Sequence, residues 1–181
     1  MAGIQILHIF LQLPLNPAVA IGLPLSLGML SGSSTAAVVR SPWYQNLRAP
    51  PGRPPRQVFP IVWPILYIAM GYASHIVAET LNSPVPVSNL CLGLVLYYSQ
   101  LALNLVWSPI FFGVKKLGIA LCDSILLAGT TYYMTKLLDE PTNHKTTYLL
   151  VPYCAWLTFA LYLTAGFWWL NRKPRSGVKK N

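Results

Sequence analysis

Only 9% of the 181 residues are charged and 54% are hydrophobic, against about 25% charged in soluble proteins. A chain this long cannot enclose so much apolar surface in a water-soluble core, so the composition excludes a soluble domain and indicates one integral membrane domain. The net charge of +9 would suggest nucleic acid in a soluble protein. With the basic residues set between apolar spans, anionic membrane lipids are the expected partner instead, and no nucleic acid is.

In chain order the apolar segments are residues 14–37, 57–79, 86–112, 117–138 and 147–170. Each is long enough to cross a bilayer as a helix of about 20 residues. The expected fold is all-α, a bundle of five transmembrane helices forming a single membrane domain over residues 1–181. Pro14, Pro17 and Pro24 interrupt the first segment, and residues 4–13 read as a separate interfacial helix. Gly28 and Gly32 have the spacing of a helix-packing pair. The first 39 residues contain no Lys or Arg. Neither the basic start of a secretory signal nor an Arg-rich presequence is present, and a retained N-terminus is expected.

A basic loop, W-Y-Q-N-L-R-A-P-P-G-R-P-P-R over residues 43–56, joins the first two segments. Prolines 50, 51, 54 and 55 remove amide donors and push their neighbours toward extended geometry, so regular helix is excluded. Arg48, Arg53 and Arg56 make the loop cationic, and it runs directly into a segment carrying Trp63 and Tyr67. The combination reads as a lid over a pocket, with Trp43, Arg48, Pro50, Arg53 and Pro54 as its candidate residues.

Three helical stripes bear polar or aromatic groups. Trp63, Tyr67 and Ser74 share a face of the second segment, where Gly71 allows close approach. Gln100, Asn104, Trp107 and Phe111 share a face of the third, and Tyr153, Trp156, Ala160 and Leu163 a face of the fifth. Amides inside a membrane must find hydrogen-bond partners. Interhelical bonding and the anchoring of a ligand both satisfy them, and the sequence leaves both open. Periodicity alone reads the aromatic stripes first as packing. Asp123 is the one carboxylate well inside a segment; its place near a helix N-terminus favours a structural role over a functional one. His75 and Glu79 belong to the interface rather than to a catalytic dyad. Cys91, Cys122 and Cys154 lie in apolar stretches and indicate neither disulfides nor a metal site.

Charge fixes an expected orientation. With five spans, all of the 13 basic residues except Lys136 and Lys145 fall in the loop 38–56, the loop 113–116 or the tail 171–181, on one side. The positive-inside rule makes that side cytosolic.

Taken together, these residues resemble the translocator protein family, also called tryptophan-rich sensory proteins or peripheral benzodiazepine receptors. The matching stretches are W-Y-Q-N-L-R-A-P-P with P-P following (43–55), F-P-I-V-W-P-I-L-Y-I-A-M-G-Y-A-S (59–74), Q-L-A-L-N-L-V-W-S-P-I-F-F-G (100–113) and P-Y-C-A-W-L-T-F-A (152–160). The resemblance implies a five-helix bundle, usually dimeric, with a pocket under the first loop for porphyrins and synthetic ligands such as isoquinoline carboxamides. Carried over by position, it puts Trp63, Tyr67, Asn104, Trp107, Trp156, Phe159, Ala160 and Leu163 around that pocket, and Phe111 joins them by its stripe. Trp63 and Trp156 match tryptophans implicated in light-dependent porphyrin breakdown by bacterial members. The chain departs from the family at Gly52, Gln57, Leu105 and Ile119, where tryptophan is frequent. Ala165 stands where the animal sterol motif has tyrosine, which weakens the case for sterol at that motif.

The function expected from the residues and the resemblance is a membrane receptor or carrier for a porphyrin or haem-like ligand, with sterol as a further candidate. The alternatives are a light-dependent porphyrin-degrading enzyme and a scaffold recruiting partners through its basic face. No set of acids, bases or nucleophiles supports conventional turnover, and no cofactor is expected. The resemblance favours the mitochondrial outer membrane, with the endoplasmic reticulum as the alternative, and a homodimer.

Overall fold

Asn16 divides the first apolar segment. Its extended backbone separates a 3-10 turn at Leu13–Leu15 from the helix that follows. Its side-chain oxygen accepts from the Ala18 amide at 2.9 Å, and Pro17 takes the first helical position, where an amide would have had no partner. The computed structural model describes residues 10–33, 35–83 and 89–172. The expected interfacial helix as far as residue 9, the start of the 86–112 segment and the tail from residue 173 lie outside the described residues.

Five long helices follow: α1 (Pro17–Ser33), α2 (Phe59–Leu81), α3 (Leu90–Ser108), α4 (Leu117–Asp139) and α5 (Lys145–Asn171). Two short helices, Thr35–Val39 and Pro42–Gln45, lead from α1 into the loop. All five long elements, the first together with Thr35–Val39, are long and apolar enough to cross a membrane, and no strand occurs among the described residues. Their outward faces carry Ile61, Ile65, Val95, Val106, Ile125 and Val151, all exposed. Such a surface suits hydrocarbon rather than water. The protein is a multi-pass integral membrane protein.

The turns have local causes. Pro109 gives no amide to the α-helical ladder, and the chain after α3 widens into a π-helix at Pro109–Val114, ended by Lys115 at φ 59°. Between α4 and α5, Asn143 and His144 both take left-handed backbone, and the His144 amide donates to the Asp139 carbonyl at 2.8 Å.

Around the bundle the packing order is α1, α2, α5, α4, α3, with α3 returning to α1. Small residues set the closest approaches. A Cβ on Gly71 would lie 2.4 Å from the Ala20 carbonyl oxygen, and one on Gly28 would lie 2.1 Å from the Tyr67 ring. Gly32 meets nothing within 4 Å, so only Gly28 of that pair is used in this fold. The larger core holds Leu66, Tyr67, Met70, Tyr97, Met134 and Tyr153, among others. A smaller one, built on Tyr44, Phe111, Ala120 and Phe167, lies under the loop.

Candidate functional site

Helical spacing turns Phe59, Trp63 and Tyr67 of α2 toward Trp156 and Phe159 of α5. Trp63 stacks on Tyr67 at 5.6 Å between ring centroids and stands perpendicular to Trp156 at 6.5 Å. Phe59 and Phe159 approach Trp156 at 5.8 and 5.7 Å. These are ordinary aromatic contact distances, with edge-to-face geometry between the two indoles. The Trp156 Nε1 atom is buried and has no hydrogen-bond partner among the described residues.

The polar groups below this aromatic face are, by contrast, paired. Tyr67 Oη donates to Asn104 Oδ1 at 2.7 Å, and Asn104 Nδ2 donates to Tyr153 Oη at 3.0 Å. Tyr153 in turn donates to Gln100 Oε1 at 2.8 Å, and Gln100 Nε2 reaches the Met70 sulfur at 3.6 Å. The four polar residues are all buried. The chain of bonds joins α2, α3 and α5, and both ends of the Asn104 amide are taken by tyrosines. This is interhelical bonding of the kind that membrane interiors demand.

Trp107 and Phe111 belong to the second cluster. They stack at 4.9 Å, and Phe111 also meets Trp43 and Phe167. The Trp107 indole donates to Ser124 Oγ at 2.9 Å, tying α3 to α4. Tyr44 contacts Phe112 and Phe167. Its burial pushes the phenol up from its ordinary pKa, partly offset by the Arg53 charge, so it stays neutral in the cluster.

The loop is fastened over this second cluster. The Arg53 guanidinium lies 4.8 Å from the Tyr44 ring centroid and 5.5 Å from that of Phe167. Pro50 is buried against Gly166, where a Cβ would come within 2.5 Å of it. Asn171 accepts from the Arg48 amide at 3.0 Å and donates to the Arg48 carbonyl at 2.9 Å. Tyr162 Oη donates to the Pro51 carbonyl at 3.0 Å. The Arg48 residue remains exposed and Pro54 is half-buried.

The sequence-selected residues thus form two groups. Trp63, Tyr67, Trp156 and Phe159 meet between α2 and α5, with Asn104 bonded beneath them. Trp43, Trp107, Phe111 and Arg53 meet under the loop. Ala160, half-buried, and Leu163, buried, occupy the stretch of α5 between the groups, which ends at Phe167. Sequence reasoning left out Phe59, Tyr44, Phe112, Phe167 and the latch residue Asn171. The 4-residue steps from Leu163 to Phe167 and from Trp63 to Phe59 would have found two of them.

The family profile described as TspO/MBR matches residues 20–170, which include both aromatic groups and the loop. The translocator protein of Bos taurus is 38% identical over 164 residues, covering 91% of this chain and 95% of its own length. The protein named tryptophan-rich protein TspO of Chlorobaculum tepidum is 37% identical over 157 residues, covering 87% and 96%. The tryptophan-rich sensory protein of Cereibacter sphaeroides is 35% identical over 132 residues, covering 71% and 77%. The chain belongs to the TspO/MBR family. This TspO/MBR chain has exposed residues at three of its departures, Gly52, Gln57 and Ile119. Gly52 sits at φ 77°, in the left-handed region where a tryptophan would be strained. Leu105, half-buried, packs against the larger core.

Proposed function

We propose that this protein is a membrane receptor or carrier that binds porphyrins and other planar hydrophobic ligands on the aromatic face between α2 and α5, beneath the loop. The unpaired Trp156 indole N–H carries this reading. A buried donor without a partner costs about 1–3 kcal/mol. A flat ligand that stacks on Trp63 and Phe159 and offers an acceptor to Trp156 removes that cost while covering apolar ring surface. Ala160 and Leu163 would extend the face along α5, Tyr67 and Asn104 would form its polar floor, and Trp107 and Phe111 would back the lid. The exposed Arg48 is suited to a ligand carboxylate, whereas Arg53 is already engaged with Tyr44 and Phe167. Sterol stands as a further candidate ligand. Protoporphyrin added in the dark should quench tryptophan emission saturably; folded protein giving no saturable response would sink the proposal.

The second reading, light-driven porphyrin breakdown, is favoured by the Trp63–Trp156 approach of 6.5 Å, because a ligand bound on this face would lie beside two oxidisable indoles. Under illumination it requires loss of protoporphyrin absorbance with wild type that Trp63→Phe and Trp156→Phe abolish. Equal traces for the three proteins exclude it. The proposal also takes the protein as a homodimer of the mitochondrial outer membrane, with the endoplasmic reticulum as the alternative location. Fractionation of cells expressing the tagged full chain, with in-membrane crosslinking, tests both.

A further inference from the structure

A groove of about 380 Å³ runs along the outer side of the α4–α5 pair, away from both aromatic groups. Tyr132, Val151, Cys154 and Ala155 line one end, and Lys136, Asp139 and Thr147 the other. From Thr147 to Ala155 the α-helical rise gives it a length of about 12 Å, most of one leaflet of a hydrocarbon core about 30 Å thick. Its polar end lies at the α4–α5 turn, where the chain leaves the membrane, and its apolar end points toward mid-membrane. That is the polarity of a lipid standing in the same leaflet.

The hydrogen-bonding groups of the floor are already used. Tyr132 Oη bonds Thr158 Oγ1 at 2.6 Å, and Thr135 donates to the Thr131 carbonyl at 2.8 Å and faces the Cys154 sulfur. Asp139 Oδ1 is held by Thr147 and by His144 Nδ1. The ion pairs among the described residues join His75 to Glu79 and His144 to Asp139, and neither includes Lys136. The mouth of the groove therefore presents one cation, Lys136, and the outer oxygen of one anion, Asp139, on adjacent turns of α4, unpaired with each other.

We infer that this groove is a binding site for a zwitterionic glycerophospholipid, with one acyl chain lying along Val151 and Ala155, the phosphate on Lys136 and the headgroup amine on Asp139. A sterol has no charges to satisfy that pair, and an anionic phospholipid without an amine, such as phosphatidylglycerol, satisfies only Lys136. The site is independent of the aromatic face and of what that face binds.

The test uses the full chain in vesicles carrying a phosphatidylethanolamine with a photoactivatable acyl chain, followed by peptide mapping. Adducts should concentrate on Tyr132, Val151 and Ala155, well above those on the lipid-facing Ile61, Ile65 and Val106. Ala155→Trp and, independently, Val151→Trp should remove them. Lys136→Gln should lower them about fivefold, the loss of one interfacial basic contact. Unlabelled phosphatidylethanolamine should compete better than phosphatidylglycerol or sterol. Even labelling of all lipid-facing residues, labelling that survives both tryptophan substitutions in folded protein, or stronger competition by the anionic lipid or the sterol would overturn the assignment.

Discussion

Asn104 and Trp156 face opposite demands. Asn104 has each end of its amide bonded to a buried tyrosine, so its removal acts on the fold. Asn104→Leu leaves Tyr67 without its acceptor and Tyr153 without one donor. The expected cost is about 2–4 kcal/mol of stability, read as a lower unfolding temperature in detergent. Unchanged stability with weakened porphyrin binding would instead make Asn104 a ligand contact. The stripe of Gln100, Asn104 and Trp107 was legible from helical spacing, because residues three and four apart share a face. Its partners were not, because spacing along one helix says nothing about the rotation of the next. Gln100 and Asn104 therefore meet tyrosines of α2 and α5, whereas Trp107, one turn further on, meets Ser124 and the smaller core.

At the scale of elements, the third apolar segment reads as one continuous span over residues 86–112, and the π-helix at Pro109–Val114 near its end was not legible. A π-turn has more residues per turn than an α-helix, and this one sets Phe111 against Trp107 and Phe167 and Phe112 against Tyr44 and Trp107. The loop was legible as extended and cationic from its prolines and arginines. Its fastening was not, because Tyr162 and Asn171 lie more than 110 residues from the backbone they hold. Asn171→Ala deletes both bonds to Arg48, and opening of the loop should rise about tenfold. Limited trypsin cleavage after Arg48 and Arg56, timed against wild type, reads this directly; equal rates would show that the latch does not hold the lid. The glycines of α1 give a paired test. Gly28→Ala must displace the Tyr67 ring and should destabilise the bundle, while Gly32→Ala meets nothing and should match or exceed wild type. Equal unfolding midpoints for the two variants would contradict the close α1–α2 packing.

For the whole molecule, five spans were legible from composition because the hydrocarbon thickness fixes the length of a helix that crosses it. The ring order α1, α2, α5, α4, α3 was not, since every span has an apolar exterior and many arrangements bury the same stripes. Orientation follows from charge: Arg40, Arg48, Arg53, Arg56, Lys115, Lys116 and Arg172 stand at one end of the bundle, Lys136 and Lys145 at the other. Cysteines introduced at Gln45 and Arg172 should therefore label from the same side, the cytosolic one. Labelling from opposite sides would exclude this arrangement.

On the proposed reading, the aromatic face between α2 and α5 binds a flat ligand through the Trp156 donor that the fold leaves unpaired. The most direct test is an equilibrium titration of protoporphyrin in the dark with wild type and Trp156→Phe, alongside thermal unfolding of both. Phenylalanine keeps an aromatic ring at the site and deletes only a donor that has no partner in the fold. Kd should rise about tenfold with the unfolding midpoint little changed. An unchanged Kd in folded Trp156→Phe protein would contradict it.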